Sequence, residues 1–222
     1  MKQLTQIFLD LDGPLLDGKE RHYFCYRHIL ESFGLKPIGI EKYWELKRAL
    51  VNRKVLLRMS DADSIYDDFL VQWLTMIESP AALALDRIQQ GGIECLRNWK
   101  EQGLSLRLVT MRKNLTTLEA QLESTGLRPF MDSVLICDHV NGGIGKAEAV
   151  LAHLHGQLNP DSALWIGDTE ADWQAAKSLG CDVVLLANGL RNEEYLRTLA
   201  GARVEQSIVS ITESVARRFY VN

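Results

Sequence analysis

Cysteine is scarce: four in 222 residues, at positions 25, 95, 137 and 181. No two of them make a C-x-x-C pair, which excludes the usual spacing of a structural zinc site, and their wide separation suggests no disulfide framework. Reduced, mostly buried thiols are expected. An excess of positive charge is also missing, since 25 Lys and Arg face 29 Asp and Glu for a net charge of −4. A dedicated nucleic-acid binder carries a basic balance or a basic face, so that class is set aside, whereas a small or acidic partner is not. There is no long apolar run. The one that begins at Ile7 is too short to span a bilayer, and Met1-Lys2-Gln3-Leu4 leads into it without the apolar region and small-residue cleavage site of a signal peptide. A cytoplasmic protein with no membrane partner is the expectation. Repeats, low-complexity tracts and long linkers are absent too. What is present is 46% hydrophobic residues, enough for one large domain or a core domain with a smaller insert.

The stretch that organises the chain is Ile7-Phe8-Leu9-Asp10-Leu11-Asp12-Gly13-Pro14-Leu15-Leu16-Asp17. Its apolar start reads as a buried parallel strand, and Gly13-Pro14 stops it just after two acids. Asp10 therefore stands at the carboxyl end of the strand and Asp12 in the following loop, where open α/β sheets place their ligands. Two carboxylates about 4 Å apart repel by roughly 4 kcal/mol at an effective dielectric near 20, so they need a cation or a shared proton. A second Asp-x-Asp, Asp61-Ala-Asp63, lies in a polar stretch and reads as a solvated turn.

Between 16 and 90 the pattern predicts helices only. Residues 19–33 have helical apolar spacing, 40–50 follow a break at Pro37 to Gly39, and Ser60 to Asp63 offer N-cap residues for a helix facing inward with Ile65, Phe69, Leu70, Trp73 and Leu74. Pro80 ends that helix, and 81–90 is read as another. After Gly91-Gly92 the pattern changes. Strands at 104–109, 133–137, 163–166 and 182–186 alternate with helices at 93–102, 115–124, 146–154 and 171–179, which implies a parallel sheet covered on both faces. The expected fold is an α/β doubly wound core, residues 1–15 and 91–222, whose first strand is separated from the others by a helical insert at 16–90. Because the insert leaves and re-enters beside Asp10, it can lie over the site as a lid.

Thr110 closes one later strand, Lys146 follows the Gly-rich run 141–145, and Asp168 and Asp172 lie in Gly167-Asp168-Thr169-Glu170-Ala171-Asp172. Parallel strands bring these groups to one sheet edge. Acids at i and i+4 on a helix start face one way. The cluster suits a hard divalent cation with oxygen ligands, and Mg²⁺ fits because it needs few carboxylates and keeps waters and a substrate phosphate. Asp10 would attack phosphorus to give an aspartyl-phosphate, Lys146 would offset charge, Thr110 would donate to a phosphate oxygen, and Asp12 would protonate the leaving oxygen and later activate water.

In this order the motifs resemble the haloacid dehalogenase superfamily, mostly Mg²⁺-dependent phosphatases with a Rossmann-like core. The insert directly after the first motif is similar to the α-helical cap of its phosphoglycolate phosphatase and β-phosphoglucomutase-like branch. The resemblance implies that Asp10 is nucleophile and metal ligand and that Asp12 is the acid/base and lends its main-chain carbonyl to the metal. It further implies that Thr110, Met111 and Lys146 bind phosphate and that Asp168 and Asp172 complete the magnesium shell, one of them directly or through water. The acid at position 12 argues against the dehalogenases of the family, which lack it. Pro14 stands where the family usually has Thr, and Lys146 is followed by Ala-Glu-Ala rather than a Pro-containing run.

The implied activity is hydrolysis of a small phosphorylated metabolite by a monomer or homodimer. One alternative is a sugar-phosphate mutase of the β-phosphoglucomutase type. Another, from a different class, is a phospho-accepting receiver-like signalling module, although receivers are shorter and lack a cap. Lys47, Arg48, Arg53, Lys54 and Arg58 form an acid-free basic stretch. They are read as a solvated face, with the underside of the cap meeting an anionic substrate as the other option. His22 occupies the position of a cap-hinge histidine in β-phosphoglucomutase-like proteins. His153-x-His155 diverges by about 200° on a helix and makes a poor metal pair. Glu170 reads as solvated, and Trp73, Trp99, Trp165 and Trp173 as core or core-edge packing.

Overall fold

A computed structural model describes residues 3–138 and 140–211. The chain opens with β1 (Gln6–Leu9) and the short β2 (Leu16–Asp17). Helices follow as α1 (Lys19–Ser32), α2 (Ile40–Arg48), α3 (Arg53–Arg58), α4 (Tyr66–Met76) and α5 (Pro80–Leu83), then β3 (Arg87–Ile88). From there helices and strands alternate: α6 (Gly92–Glu101), β4 (Ser105–Thr110), α7 (Leu115–Ser124), β5 (Ser133–Ile136), α8 (Gly142–His153), β6 (Ala163–Gly167), α9 (Glu170–Leu179), β7 (Asp182–Leu186), α10 (Glu193–Leu196) and β8 (Arg203–Glu205).

The apolar run of β1 is continuous because both of its faces are covered. Ile7 and Leu9 pack on one side with Leu106, Leu108 and Ile166, while Phe8 packs on the other with Val109, Trp165 and Leu185. The sheet is parallel throughout, in the order β5-β4-β1-β6-β7-β8. The chain runs outward from β1 on one side and then returns to build the other, so a crevice opens at the carboxyl end of β1, where Asp10 sits. This is a Rossmann-like α/β core with an inserted helical cap.

The insert has an apolar core of its own, in which Tyr26, Ile29 and Leu30 of α1 meet Tyr43 and Trp44 of α2, Leu57 of α3, and Phe69 and Trp73 of α4. Each fully buried side chain of this size contributes about 1.5–3 kcal/mol. The four cysteines are buried free thiols. Among the described residues no helix is long and apolar enough to cross a membrane.

Three features differ from the sequence reading. The stretch 16–90 is not helical throughout: β2 and β3 pair antiparallel, Leu16 with Ile88 and Asp17 with Arg87, and tie the two ends of the insert together. The helix expected over 81–90 stops at Leu83 for that reason. Residues 53–58, read only as charged, form the short α3 because Asn52 caps it through Lys54 N–H and Leu56-Leu57 are buried. The helix bearing Lys146 starts earlier, at Gly142, and absorbs the glycine run. A Cβ on Gly143 would lie 2.2 Å from the Ala171 carbonyl oxygen, so glycine is what lets α8 approach α9.

Candidate active site

Four elements deliver the cluster. Asp10 continues the ladder of β1 by donating its N–H to the Ile166 carbonyl at 2.9 Å, and its carboxylate accepts from Leu11 N–H at 2.9 Å. Asp168 follows β6, and Asp172 lies in the first turn of α9, where it forms a capping box with Thr169. Lys146 reaches in from α8, its Nζ 2.7 Å from Asp172 Oδ1 and 3.1 Å from Asp10 Oδ1. All four side chains are buried. Carboxylate oxygens of Asp10, Asp168 and Asp172 lie within 4.8 Å of one another.

Their remaining contacts divide the three acids. Asp172 is fully engaged: Oδ1 accepts from Lys146 and from Trp165 Nε1, and Oδ2 accepts from the N–H groups of Asp168 and Thr169 and from the Thr169 hydroxyl. Among the described residues, Asp168 accepts only from Leu190 N–H through Oδ2, and its buried Oδ1 has no partner. An orphaned carboxylate oxygen in an all-oxygen cluster is what a magnesium ion would satisfy, so these residues fit that ion. Close packing fixes the Asp168 carboxylate in place. A Cβ on Gly13, whose φ is +98°, would lie 2.0 Å from Asp168 Oδ2, and one on Gly189 would lie 2.1 Å from the same atom.

The electrostatics agree with this division. Burial pushes the Asp10 carboxyl up to about 7, with Asp172 and Asp12 adding repulsion against the pull of Lys146. Burial, then Asp172 and Asp10, push Asp168 well above the usual carboxylate range. In Asp172 burial is outweighed by Lys146, and its carboxyl is lowered. Burial opposes the charge of Lys146, but Asp10 and Asp172 hold it above its ordinary value.

Asp12 belongs to a second network that the sequence reading did not find. Its carboxylate takes Arg112 Nε and Nη2, each at 2.7 Å, and pairs with Arg21 Nη2. Both arginines also bind Asp86, Arg21 at 2.8 Å and Arg112 at 3.3 Å, and Gln121 completes Asp86 at 2.8 Å. Burial raises the Asp12 carboxyl, but Arg112 and Arg21 prevail and hold it below its ordinary range. Arg21 and Asp86 come from the insert and Arg112 and Gln121 from the core, so the network crosses between them. One signal was available: Arg112 follows the Thr110 motif by two residues.

Asp10, Asp12, Thr110, Met111 and Lys146 all line one cavity of about 340 Å³, and His22, Arg53 and Trp73 of the insert line it as well. Thr110 is buried at the end of β4, its Oγ1 accepting from Arg112 N–H at 3.3 Å. Asp168 and Asp172 sit beside this cavity through Asp10 and Lys146. Glu170, read as solvated rather than a ligand, is partly exposed and holds Arg191 at 2.7 and 2.8 Å. Trp165 is core packing with a polar task, through its bond to Asp172.

The sequence model of haloacid dehalogenase-like hydrolases matches residues 7–186. A phosphoglycolate phosphatase of Rhodobacter capsulatus is 24% identical over 200 residues, covering 83% of this chain and 85% of the relative. A fructose-1-phosphate phosphatase of Escherichia coli is 24% identical over 188 residues, covering 80% of this chain and 94% of the relative. Among solved structures, a haloacid dehalogenase-like hydrolase from Streptococcus pneumoniae superposes with a TM-score of 0.76 at 16% identity, covering 97% of this chain and 100% of that one.

Proposed function

The chain belongs to the haloacid dehalogenase-like hydrolase family, and on that premise we propose that it hydrolyses a small phosphorylated metabolite in a magnesium-dependent reaction with Asp10 as nucleophile. The observation that carries this reading is the Asp10 carboxylate in the cavity wall, 3.1 Å from a buried lysine and clustered with Asp168, whose Oδ1 is unpartnered. Residues 1–15 and 91–222 form the catalytic core in this proposal, and 16–90 the cap. The names of the relatives, which act on phosphoglycolate and fructose 1-phosphate, support the substrate class.

Asp10 attacks phosphorus, the new Asp10–phosphorus bond replaces the ester P–O bond, and the leaving alkoxide takes a proton from Asp12. Water then attacks the aspartyl-phosphate, gives its proton to Asp12, and inorganic phosphate leaves. Thr110 Oγ1 and the main chain at Met111 bind the phosphoryl oxygens, and Lys146 offsets the charge that gathers there. Asp10, Asp168, Asp172 and the Asp12 main-chain carbonyl would hold magnesium, which would supply positive charge against the phosphoryl group. The arginine pair keeps Asp12 ionised, which is the form needed to activate water. To act as acid in the first half, Asp12 must be released from at least one of the two arginines, Arg21 of the insert or Arg112 of the core.

Asp10→Asn tests the assignment. An amide does not attack phosphorus, so hydrolysis of p-nitrophenyl phosphate should fall by about a thousandfold or more while far-UV circular dichroism is unchanged. Activity near that of the wild type would refute Asp10 as the nucleophile.

A further inference from the structure

The basic stretch of the insert does not behave as one solvated face. Lys47 and Arg53 lie over the Trp73 ring, Lys54 lies over Tyr66 at 4.6 Å, and Arg58 pairs with Asp63 at 3.7 Å. Arg48 instead crosses to the core. From the end of α2 its Nη2 donates to the Ala187 and Arg191 carbonyls, and the Arg48 carbonyl in turn accepts from Asn192 N–H at 3.0 Å. The last residue of α2 therefore clasps residues 187–192, the segment that follows β7, through both its side chain and its main chain.

The same segment holds Asp168. Leu190 N–H is the donor to Asp168 Oδ2, and Gly189 packs so closely on that atom that a Cβ would lie 2.1 Å from it. The Leu190 side chain packs against the apolar core of the insert, while Glu170 ties Arg191 to the first turn of α9, which also carries Asp172. Leu190 thus touches the acid with its main chain and the cap with its side chain. The two carbonyls that Arg48 takes stand on either side of the Leu190 amide, and with only two soft dihedrals per residue, fixing both limits where that N–H can aim. Burial works against the charge of Arg48, and Asp168, then Asp17, favour it.

We propose that Arg48 is a positioning residue for the metal site: by clasping residues 187–192 it aims the Leu190 N–H and so sets the Asp168 carboxylate, which makes tight divalent-cation binding conditional on a seated cap. Partners that orient a metal ligand from behind typically change metal affinity by about 10–100-fold. The coupling runs both ways, because a cation that binds better when the cap is seated must hold the cap seated by the same factor. The inference rests on the reading of Asp10, Asp168 and Asp172 as the magnesium site, and it gives the cap a task besides covering the cavity.

Arg48→Met removes the side-chain bonds and leaves the carbonyl at position 48 in place, so Asn192 N–H still reports whether the cap is seated. Calorimetric titration of the substrate-free protein with magnesium should give a Kd about tenfold higher in Arg48→Met than in the wild type. Arg48→Lys, whose single ammonium can donate to both carbonyls, should return the Kd to within about threefold of the wild type. A purely structural role would lower stability without changing the Kd of the folded protein. The reciprocal arm needs no variant: magnesium should slow hydrogen exchange at Asn192 by about tenfold in the wild type, and in Arg48→Met by less than about twofold. An equal magnesium Kd in the wild type and folded Arg48→Met, or wild-type exchange at Asn192 indifferent to magnesium, overturns the inference and leaves the metal site standing. A wild type that binds no magnesium overturns the metal reading, and the inference with it.

Discussion

Asp10 and Asp12 are two positions apart, yet burial with too little compensation pushes one carboxyl up and a pair of arginines holds the other down. The difference lies in neighbours supplied from far along the chain: Arg112 is 100 residues from Asp12, and Arg21 is 65 from Asp86. The acids, Thr110 and Lys146 were legible because they stand at strand ends or follow a glycine run. Arg21, Asp86, Arg112 and Gln121 were not, because an ion pair between distant residues leaves no periodic trace. His22 shows a consequence that is measurable at this scale. Burial, then Lys47, Arg21, Arg112 and Arg53, hold its imidazole well below its ordinary value, so it stays neutral in the folded protein. The unfolded chain binds a proton there below about pH 6.5, so acidification favours unfolding and stability falls as pH drops. Between pH 7.5 and 5.5 the wild type should lose about 1.4 kcal/mol more than His22→Gln. Urea unfolding at the two pH values checks this, and an equal loss in both proteins contradicts it.

At the scale of elements, long periodic segments could be read and short ones could not. The spacing of Phe69 and Trp73 announces α4, whereas the two-residue strands β2 and β3 are too short to show any alternation. Their pairing is nonetheless what returns the insert to the core beside Asp10: Gln89 donates its N–H to the Leu15 carbonyl and its side chain to the Gly13 carbonyl, both at 2.9 Å. Further along, the end of α4 meets the core through Glu78, whose carboxylate accepts from Lys113 N–H at 3.0 Å and from Asn114 N–H at 3.3 Å. These amides lie just after Thr110 and ahead of α7, so one acid of the cap braces the turn that follows β4. In Glu78→Ala both amides lose their acceptor. Hydrogen exchange at Lys113 and Asn114 should then rise by about tenfold, corresponding to about 1.4 kcal/mol, with exchange in β1 and β6 unchanged. KM for p-nitrophenyl phosphate should rise more than kcat falls, since the turn positions ground state and transition state alike. Unaltered exchange at both amides would show that Glu78 does not brace the turn.

At the scale of the whole molecule, a parallel sheet wound both ways from β1 brings remote acids to one point, and the cap closes the space above them. That convergence places like charges together. Asp10 and Asp168 are both buried and both pushed upward in pKa, and the lysine that pairs with Asp10 is also claimed by Asp172. Without a cation the fold therefore holds an unfavourable charge density at its centre, and binding one should stabilise the molecule as well as the reaction. Magnesium at about 100 times its Kd adds about 2.7 kcal/mol to the folded state, and for a chain of this size each kcal/mol raises Tm by about 2–4 °C. Asp168→Asn should reverse the pattern. With one carboxylate replaced by a neutral group of the same shape, metal-free repulsion is relieved, so its Tm in chelator should match or exceed that of the wild type. The gain on adding magnesium should shrink to about 2 °C or less, because the unpartnered Oδ1 no longer carries charge. Differential scanning calorimetry of both proteins, with chelator and with magnesium, reads these four values. A wild type indifferent to magnesium, or an Asp168→Asn protein that gains as much as the wild type, would remove Asp168 from the metal site.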